Sequence, residues 1–463
     1  MQYISTRGDA PTLNFEEVVL TGLARDGGLY VPKTWPQMSP EDIRGLAGKS
    51  YAEVACQVLL PFVEDSISES DFREMTEKAY GSFSHKAVVP LSQLSENDFL
   101  MELYHGPTLA FKDVALQLLG LLYDHLLGRQ GKKVTIVGAT SGDTGSAAIE
   151  ATRGRDAVDI FIMHPKGRVS DVQRRQMTTV LDANVHNIAI EGDFDDCQAL
   201  VKAMFNDHDF RDEYGVSAVN SINWARVMAQ IVYYFTTAVS LGAPDRKVAF
   251  SVPSGNFGDI YAGYCAQKMG LPIEQLIVAT NRNDILSRFF NTGEYRKEGV
   301  NPTISPSMDI QVSSNFERLL FDLCAQDGEK VKSLMKDLDE KDGFAVDMKQ
   351  LNQIIFSAGA CNEEETLATI KETLEKSAKL VDPHTAVGLK VAADCKKSKE
   401  VPMVTLSTAH PAKFPAAVEK ATGIYPDLPP HMAGLFDREE KLDVLPNDIQ
   451  AVQSYIRERS RIK

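Results

Sequence analysis

Two stretches of this 463-residue chain pass from a short apolar run, through a turn rich in glycine and hydroxyl side chains, into a run with helical spacing. That succession restricts the fold more than any other feature. The first stretch is the apolar run 134–139, then Thr140-Ser141-Gly142-Asp143-Thr144-Gly145, a small-residue helix over 146–152 and a new apolar run at 159–163. The second is 248–252, then Pro253-Ser254-Gly255-Asn256-Phe257-Gly258-Asp259, a helix over 260–269 and a strand at 276–280. Strand, turn, helix, strand predicts parallel sheet, because a parallel neighbour is reached only by a crossover and a helix supplies one. A third apolar run, 185–190, precedes a helix-like segment over 195–205 in which Leu200, Val201, Met204 and Phe205 recur at helical spacing. A late strand, 401–406, ends at Ser407-Thr408. In open α/β sheets ligands bind beyond the carboxyl ends of the strands, so the turns after Ala139, Val252 and Leu406 are the places to look.

The length suggests roughly three structural units, at about 150 residues each. Residues 1–95 lack the alternation and read as a separate N-terminal unit, while 283–356 is more polar and mainly helical, with candidate helices at 318–323 and 329–338. A formal net charge of -15 argues against nucleic acid or an anionic membrane as the main partner. A small anionic ligand stays compatible with it, since a few local cations suffice. The six cysteines form no CxxC pair, which points away from a metal site or a disulfide framework and fits a reducing compartment. The first residues carry charges without an apolar core, and no run approaches the ~18 apolar residues of a membrane span, so a cytoplasmic protein is expected.

The segment Tyr104-His105-Gly106-Pro107-Thr108-Leu109-Ala110-Phe111-Lys112-Asp113 sets one lysine between a Gly-Pro turn and the apolar run 114–122. Burying an ammonium is costly unless it is paired or loses its charge. An imine-forming lysine meets that condition. With Thr108 as the helix cap, Lys112 lies in the first turns, where the positive helix end and desolvation favour a neutral, nucleophilic amine. A snorkelling lysine at a helix start is the plain alternative. Each glycine turn offers backbone N-H groups to an anion, or is only a tight connection. Neither has the Lys-Ser/Thr ending of a P-loop or a GxGxxG fingerprint, which disfavours nucleotides. The lysine, the two anion-ready turns and the hydroxyl pair after a strand together fit pyridoxal phosphate. That cofactor requires an amine for an imine, a nest for its phosphate, a second nest for a substrate carboxylate and a partner for its ring nitrogen.

Seven blocks, in order, resemble the threonine synthases, fold-type II pyridoxal-phosphate enzymes of the tryptophan synthase β-chain superfamily. They are Asp26-Gly27-Gly28-Leu29-Tyr30-Val31-Pro32, the segment from His105 to Asp113, the turn from Ala139 to Gly145, Asn220-Ser221-Ile222-Asn223-Trp224-Ala225-Arg226, the turn from Pro253 to Asp259, Asp382-Pro383-His384-Thr385-Ala386-Val387-Gly388, and Ser407-Thr408-Ala409-His410-Pro411-Ala412-Lys413-Phe414. The resemblance implies an α/β fold of two open parallel-type sheets flanked by helices, plus an N-terminal subdomain. The expected division is 1–95 as that subdomain, 96–128 with 211–430 as the large cofactor-binding domain carrying the insertion at about 283–356, 129–210 as a small αβ domain, and 431–463 as a C-terminal segment.

The resemblance also implies roles. Lys112 would bind the cofactor covalently, and Ser254, Gly255, Asn256, Phe257 and Gly258 would cradle its phosphate. Thr140, Ser141, Gly142, Thr144 and Gly145 would receive the substrate carboxylate. Asp143 stands where many relatives have an asparagine that contacts the ring 3-oxygen, and a carboxylate there repels a phenolate unless a proton is shared. Thr408, with Ser407 as second choice, would donate to an unprotonated ring nitrogen. The implied reaction turns O-phospho-L-homoserine and water into L-threonine and phosphate by γ-elimination and β-addition of water. Arg226, Lys413 and His105 are the candidate cations for the phosphate. Against these stand a structural ion pair for Arg226, a solvated Lys413 and a packing role for His105. Rival functions are a phosphohomoserine phospholyase, a serine/threonine dehydratase, or a binding module that kept only the fold. A monomer or homodimer is expected.

Overall fold

Apolar runs at the heart of each alternating block become strands buried on both faces, as parallel sheets covered by helices require. In the computed structural model, which describes residues 1–140, 142–217, 221–351 and 354–462, the chain divides into two units, 1–105 with 221–426 and 106–220 with 427–463.

In the first unit six of the described strands form one sheet in the order Phe356–Ala360, Ile273–Thr280, Val248–Pro253, Met403–Ser407, Asp98–Glu102, Leu91–Gln93. All neighbours are parallel except the last pair, an antiparallel one. The helix Gly258–Lys268 follows the strand Val248–Pro253, as the strand-turn-helix pattern predicts. The helix Pro383–Cys395 lies on this sheet with no gap. A Cβ on its Gly388 would come within 2.8 Å of Thr405 Cγ2 and 3.0 Å of Pro253 Cγ, so only glycine permits this approach.

The second unit holds a wholly parallel five-stranded sheet in the order Asp443–Pro446, Val185–Glu191, Val158–Pro165, Val134–Ala139, Val216–Ser217. The helix Lys112–Gln130 belongs to this unit. It meets the helix Asp143–Thr152 at Gly120, where a Cβ would sit 2.1 Å from the Ala151 carbonyl oxygen.

The division differs from the expected one at four points, the first being that the strand Val216–Ser217 joins the smaller sheet and not the larger domain. The helix from Lys112 groups with the smaller sheet because its apolar face packs on the helix Asp143–Thr152. Residues 427–463 are no separate segment: Asp443–Pro446 adds an edge strand, and Val452, Tyr455 and Ile456 enter one core with Val137, Phe161, Ile188 and Ile190. Residues 1–95 group with the larger sheet. Arg318, fully buried, ties them there by donating from Nε to the Tyr30 carbonyl at 3.0 Å and from Nη2 to the Ile222 carbonyl at 2.7 Å. The polar stretch 283–356 holds the helices Ile285–Thr292, Phe316–Leu323 and Gly328–Lys341 and an antiparallel strand pair, Glu294–Arg296 with Gly343–Ala345.

Candidate active site

In the second unit, Lys112 is the first residue of its helix and only 8 % exposed. Its Nζ lies 3.2 Å from Asp143 Oδ2, and Asp143 Oδ1 accepts a 2.8 Å bond from Gln173 Nε2. This arrangement answers the cost of burying the amine: the carboxylate pairs with it, and an amide fixes the carboxylate. Asp143 is itself the first residue of a helix whose N-cap, Gly142, has no side chain to bond its N-H groups. The helix end further favours its charge.

Thr108 does not cap the Lys112 helix, whose N-cap is Phe111 without a side-chain bond. Thr108 instead donates its N-H and hydroxyl to the Asp113 carboxylate, at 2.8 and 2.6 Å. Gly106 makes room for that carboxylate, since a Cβ there would sit 2.5 Å from Asp113 Oδ2. Leu109 between them has φ 64°, a backbone state costly for a branched residue. Its side chain is buried with Val172, Met432 and Leu435, which offsets that cost.

Ser141 lies outside the described residues, as does Asn220 of the fourth matched block. In the rest of the first turn, Thr140 Oγ1 accepts from the N-H groups of Gly142 (3.0 Å) and Gly145 (2.9 Å). Two N-H groups expected to face a substrate carboxylate thus hold the turn itself together. Gly142 has φ 139°, and a Cβ there would meet Gln173 Oε1 at 2.5 Å. Thr144 is half-buried in the first turn of the helix.

In the first unit, the turn after Val248–Pro253 directs its carbonyls outward. Gly255 O accepts the Ser313 hydroxyl at 2.7 Å, and Asn256 O accepts the Asn315 N-H at 3.0 Å. The Ser254 hydroxyl donates to Val252 O at 3.0 Å. Phe257 has φ 64°, and its buried ring stacks on Phe290 and Phe356 and meets Phe316 edge-on, which holds that backbone in place. The helix Gly258–Lys268 then begins with no side-chain cap. Its first N-H groups and the positive end of its dipole thus face the turn, a ready anion site. The turn tolerates no added bulk, because a Cβ on Gly255 would lie 2.8 Å from Ser307 O.

At the end of Met403–Ser407, Thr408 is 6 % exposed, and Ser407 Oγ lies 3.0 Å from Thr385 Oγ1. Lys413 is fully buried, which removes the solvated reading, and Arg226 is 4 % exposed in the first turn of Trp224–Ser240. His105 Nε2 sits 2.8 Å from Glu102 Oε2. Burial works against the Glu102 charge, but bonds from His105, Ser92 and Lys379 outweigh it and hold the carboxyl at about 2. His105 is therefore a cation candidate already committed to a carboxylate.

Sequence reasoning missed Gln173, Asn315 and Glu102. The role of Asp382 was missed too, though an Asp-Pro pair opening a helix carries a readable signal, that of an N-cap. The residues present fit pyridoxal phosphate on three counts: a buried amine, an uncapped helix start beyond a tight glycine turn, and a hydroxyl pair at a strand end.

Comparison with known proteins places these features in a family. Residues 2–80 match the model of the threonine synthase N terminus, 87–349 that of pyridoxal-phosphate dependent enzymes, and 385–456 that of the threonine synthase C-terminal region. The threonine synthase of Pseudomonas aeruginosa is 58% identical over 459 residues, covering 98% of both chains. Among solved structures, pyridoxal-phosphate-bound threonine synthase from Brucella melitensis superposes with a TM-score of 0.98 at 57% identity, covering 100% of each chain. The yeast threonine synthase superposes at 0.94 with 41% identity, covering 99% of this chain and 98% of that one.

Proposed function

This chain belongs to the threonine synthase family of pyridoxal-phosphate-dependent enzymes, and from that premise we infer that it converts O-phospho-L-homoserine and water to L-threonine and inorganic phosphate. The observation that carries this reading is the buried Lys112 amine, 3.2 Å from Asp143 at the head of a helix. Pyridoxal phosphate, when bound, supplies an electrophilic carbon for amines and a ring that delocalises negative charge developing on the substrate.

Lys112 is the attachment point and, once the substrate amine takes its place, the base that removes the Cα proton and, after returning that proton to the substrate adduct, a Cβ proton. Its confinement by Asp143 and Gln173 supports that role, since a fixed base near the reacting carbon contributes through positioning. Asp143 stabilises the ammonium that forms when Lys112 takes up a proton, which gives the carboxylate at this position a use that an asparagine would not serve. Gly255 to Gly258 hold the cofactor phosphate through backbone N-H groups, Ser254 fixes the start of that turn because its own N-H goes to the Ala279 carbonyl, and Thr408 pairs with the ring nitrogen. Thr140, Ser141, Gly142, Thr144 and Gly145 make up the turn assigned to the substrate carboxylate, with Ser141 and Thr144 as its donors, since the Gly142 and Gly145 N-H groups go to Thr140 Oγ1. Arg226 and Lys413 are buried cations suited to the departing phosphate, with His105 a third, tempered by Glu102.

The formal net charge of -15 supports a small-molecule enzyme without a nucleic-acid partner. No helix among the described residues is long and apolar enough to cross a membrane. A cytoplasmic monomer or homodimer completes the proposal, and sedimentation equilibrium tests the last point. The decisive assay follows O-phospho-L-homoserine into phosphate, threonine and 2-oxobutyrate. Equal threonine and phosphate are expected, whereas 2-oxobutyrate without threonine would establish a phospholyase instead.

A further inference from the structure

The Asp382 carboxylate, fully buried at the start of the helix Pro383–Cys395, accepts four donors on its two oxygens. Oδ1 takes the Thr385 N-H at 3.0 Å and the Thr385 hydroxyl; Oδ2 takes the His384 N-H at 3.0 Å and His384 Nδ1 at 2.6 Å. That fills the acceptor capacity of a carboxylate and fixes the direction of every bond leading away from it.

One arm runs through Thr385. Its single hydroxyl proton goes to Asp382, so in the 3.0 Å contact with Ser407 the threonine oxygen accepts and Ser407 donates. The Ser407 proton is therefore spent inward, toward the helix. The other arm runs through His384. With Nδ1 donating to Asp382, Nε2 is an acceptor, and it takes the Ser307 N-H at 3.3 Å. The Ser307 carbonyl is the atom a Cβ on Gly255 would strike, so this arm ends on the wall of the turn at 254–258. The helix that carries both arms is seated on both strands, through Gly388 against Thr405 and Pro253 and through the Ser251 hydroxyl, which donates to Gly388 O at 2.8 Å.

We propose that Asp382 is a positioning residue that joins the two ends of the cofactor site. Through Thr385 it turns the Ser407 hydroxyl away and leaves Thr408 as the donor for the ring nitrogen; through His384 and Ser307 it holds the wall of the phosphate cradle. The inference rests on the pyridoxal-phosphate reading of the site. It also makes the two arms separable, which a simple helix cap is not.

The test uses full-length holoenzyme reconstituted with pyridoxal phosphate, and measures the pH response of its visible absorption, the cofactor dissociation constant and the melting temperature. Thr385→Val is expected to alter the spectral pH response while cofactor affinity stays near the wild-type value, and Thr385→Ser to restore the response. His384→Ala is expected to weaken cofactor binding about tenfold through the lost support of the cradle, with the spectral response unchanged. Asp382→Asn combines both losses if it folds, and the two single-arm variants decide the matter if it does not. If Thr385→Val and His384→Ala lower only the melting temperature, or shift spectrum and affinity alike, Asp382 is a helix cap and nothing more. A wild-type protein that never acquires a visible band on addition of the cofactor overturns the cofactor reading together with the proposal, whereas a normal band indifferent to all variants overturns the proposal alone.

Discussion

Lys112 shows how one side chain can be buried and still reactive. Its amine has a partner, Asp143, that is held from the far side by Gln173, so the pair is fixed in a geometry that water does not screen. Lys112→Ala should abolish the visible band of the bound cofactor and lower turnover by about 10³-fold or more, the scale of losing a positioned proton-transfer group. A variant that keeps the band would exclude Lys112 as the attachment point. Asp143→Asn keeps the shape but removes the charge that stabilises the ammonium. Its turnover should fall by roughly 10- to 100-fold, and the acid limb of the turnover-pH profile should move to lower pH, because an opposite charge no longer favours the protonated amine. An unshifted profile would show that Asp143 serves only as a hydrogen-bond acceptor. Leu109 and Phe257, one in each unit, make a related point: each adopts φ 64° just before a functional helix, and each is held there by apolar burial rather than by a glycine.

The helices that carry these residues are placed by glycine contacts. Gly120 brings the helix Lys112–Gln130 against Asp143–Thr152, and thereby brings the bearers of Lys112 and Asp143 together. Gly120→Ala would gain about 1 kcal/mol in helix propensity. It would also drive a Cβ to 2.1 Å from a backbone oxygen that cannot step aside, and overpacking of this kind costs about 1–3 kcal/mol. The variant should therefore be less stable, by urea titration, despite its better helix former; greater stability would mean that the crossing relaxes freely. Such crossings were hidden in the sequence, where Gly120 is one more small residue in an apolar run. What was legible were features carried by a local pattern: the parallel strands, both glycine turns and the lysine at a helix start. Gln173 sits in a polar stretch without a distinguishing mark, and its bond to Asp143 exists only because two helices converge. The edge strand Asp443–Pro446 was also unreadable, since four residues flanked by charge and proline give too short an alternation, and pairing with Val185–Glu191 makes the strand.

Across the whole molecule the buried carboxylates set opposing pH dependences. Glu102 falls from an ordinary 4.5 to about 2, because the bonds from His105, Ser92 and Lys379 outweigh burial. A depressed folded value contributes stability that is complete above pH 4.5 and is lost as pH drops through 2, in all about 3 kcal/mol. Asp259, directly after the phosphate turn, goes the other way. Burial raises it from 3.8 to about 6, against the lowering effect of the hydroxyls of Tyr233 and Tyr234, which both donate to its Oδ1. The folded state therefore holds this proton more tightly than the unfolded chain, and stability declines as pH rises from 3.8 through 6, by a similar ~3 kcal/mol. Denaturant titration of wild type, Glu102→Gln and Asp259→Asn separates the two. The difference between wild type and Asp259→Asn should turn against wild type as pH rises through that window and level off above it, while the difference from Glu102→Gln should shrink only as the solution becomes strongly acidic. A wild-type minus Asp259→Asn difference that stays constant from acid to neutral pH would mean that the Asp259 carboxyl keeps its ordinary value. The tyrosine bonds would then fully offset its burial beside the cradle.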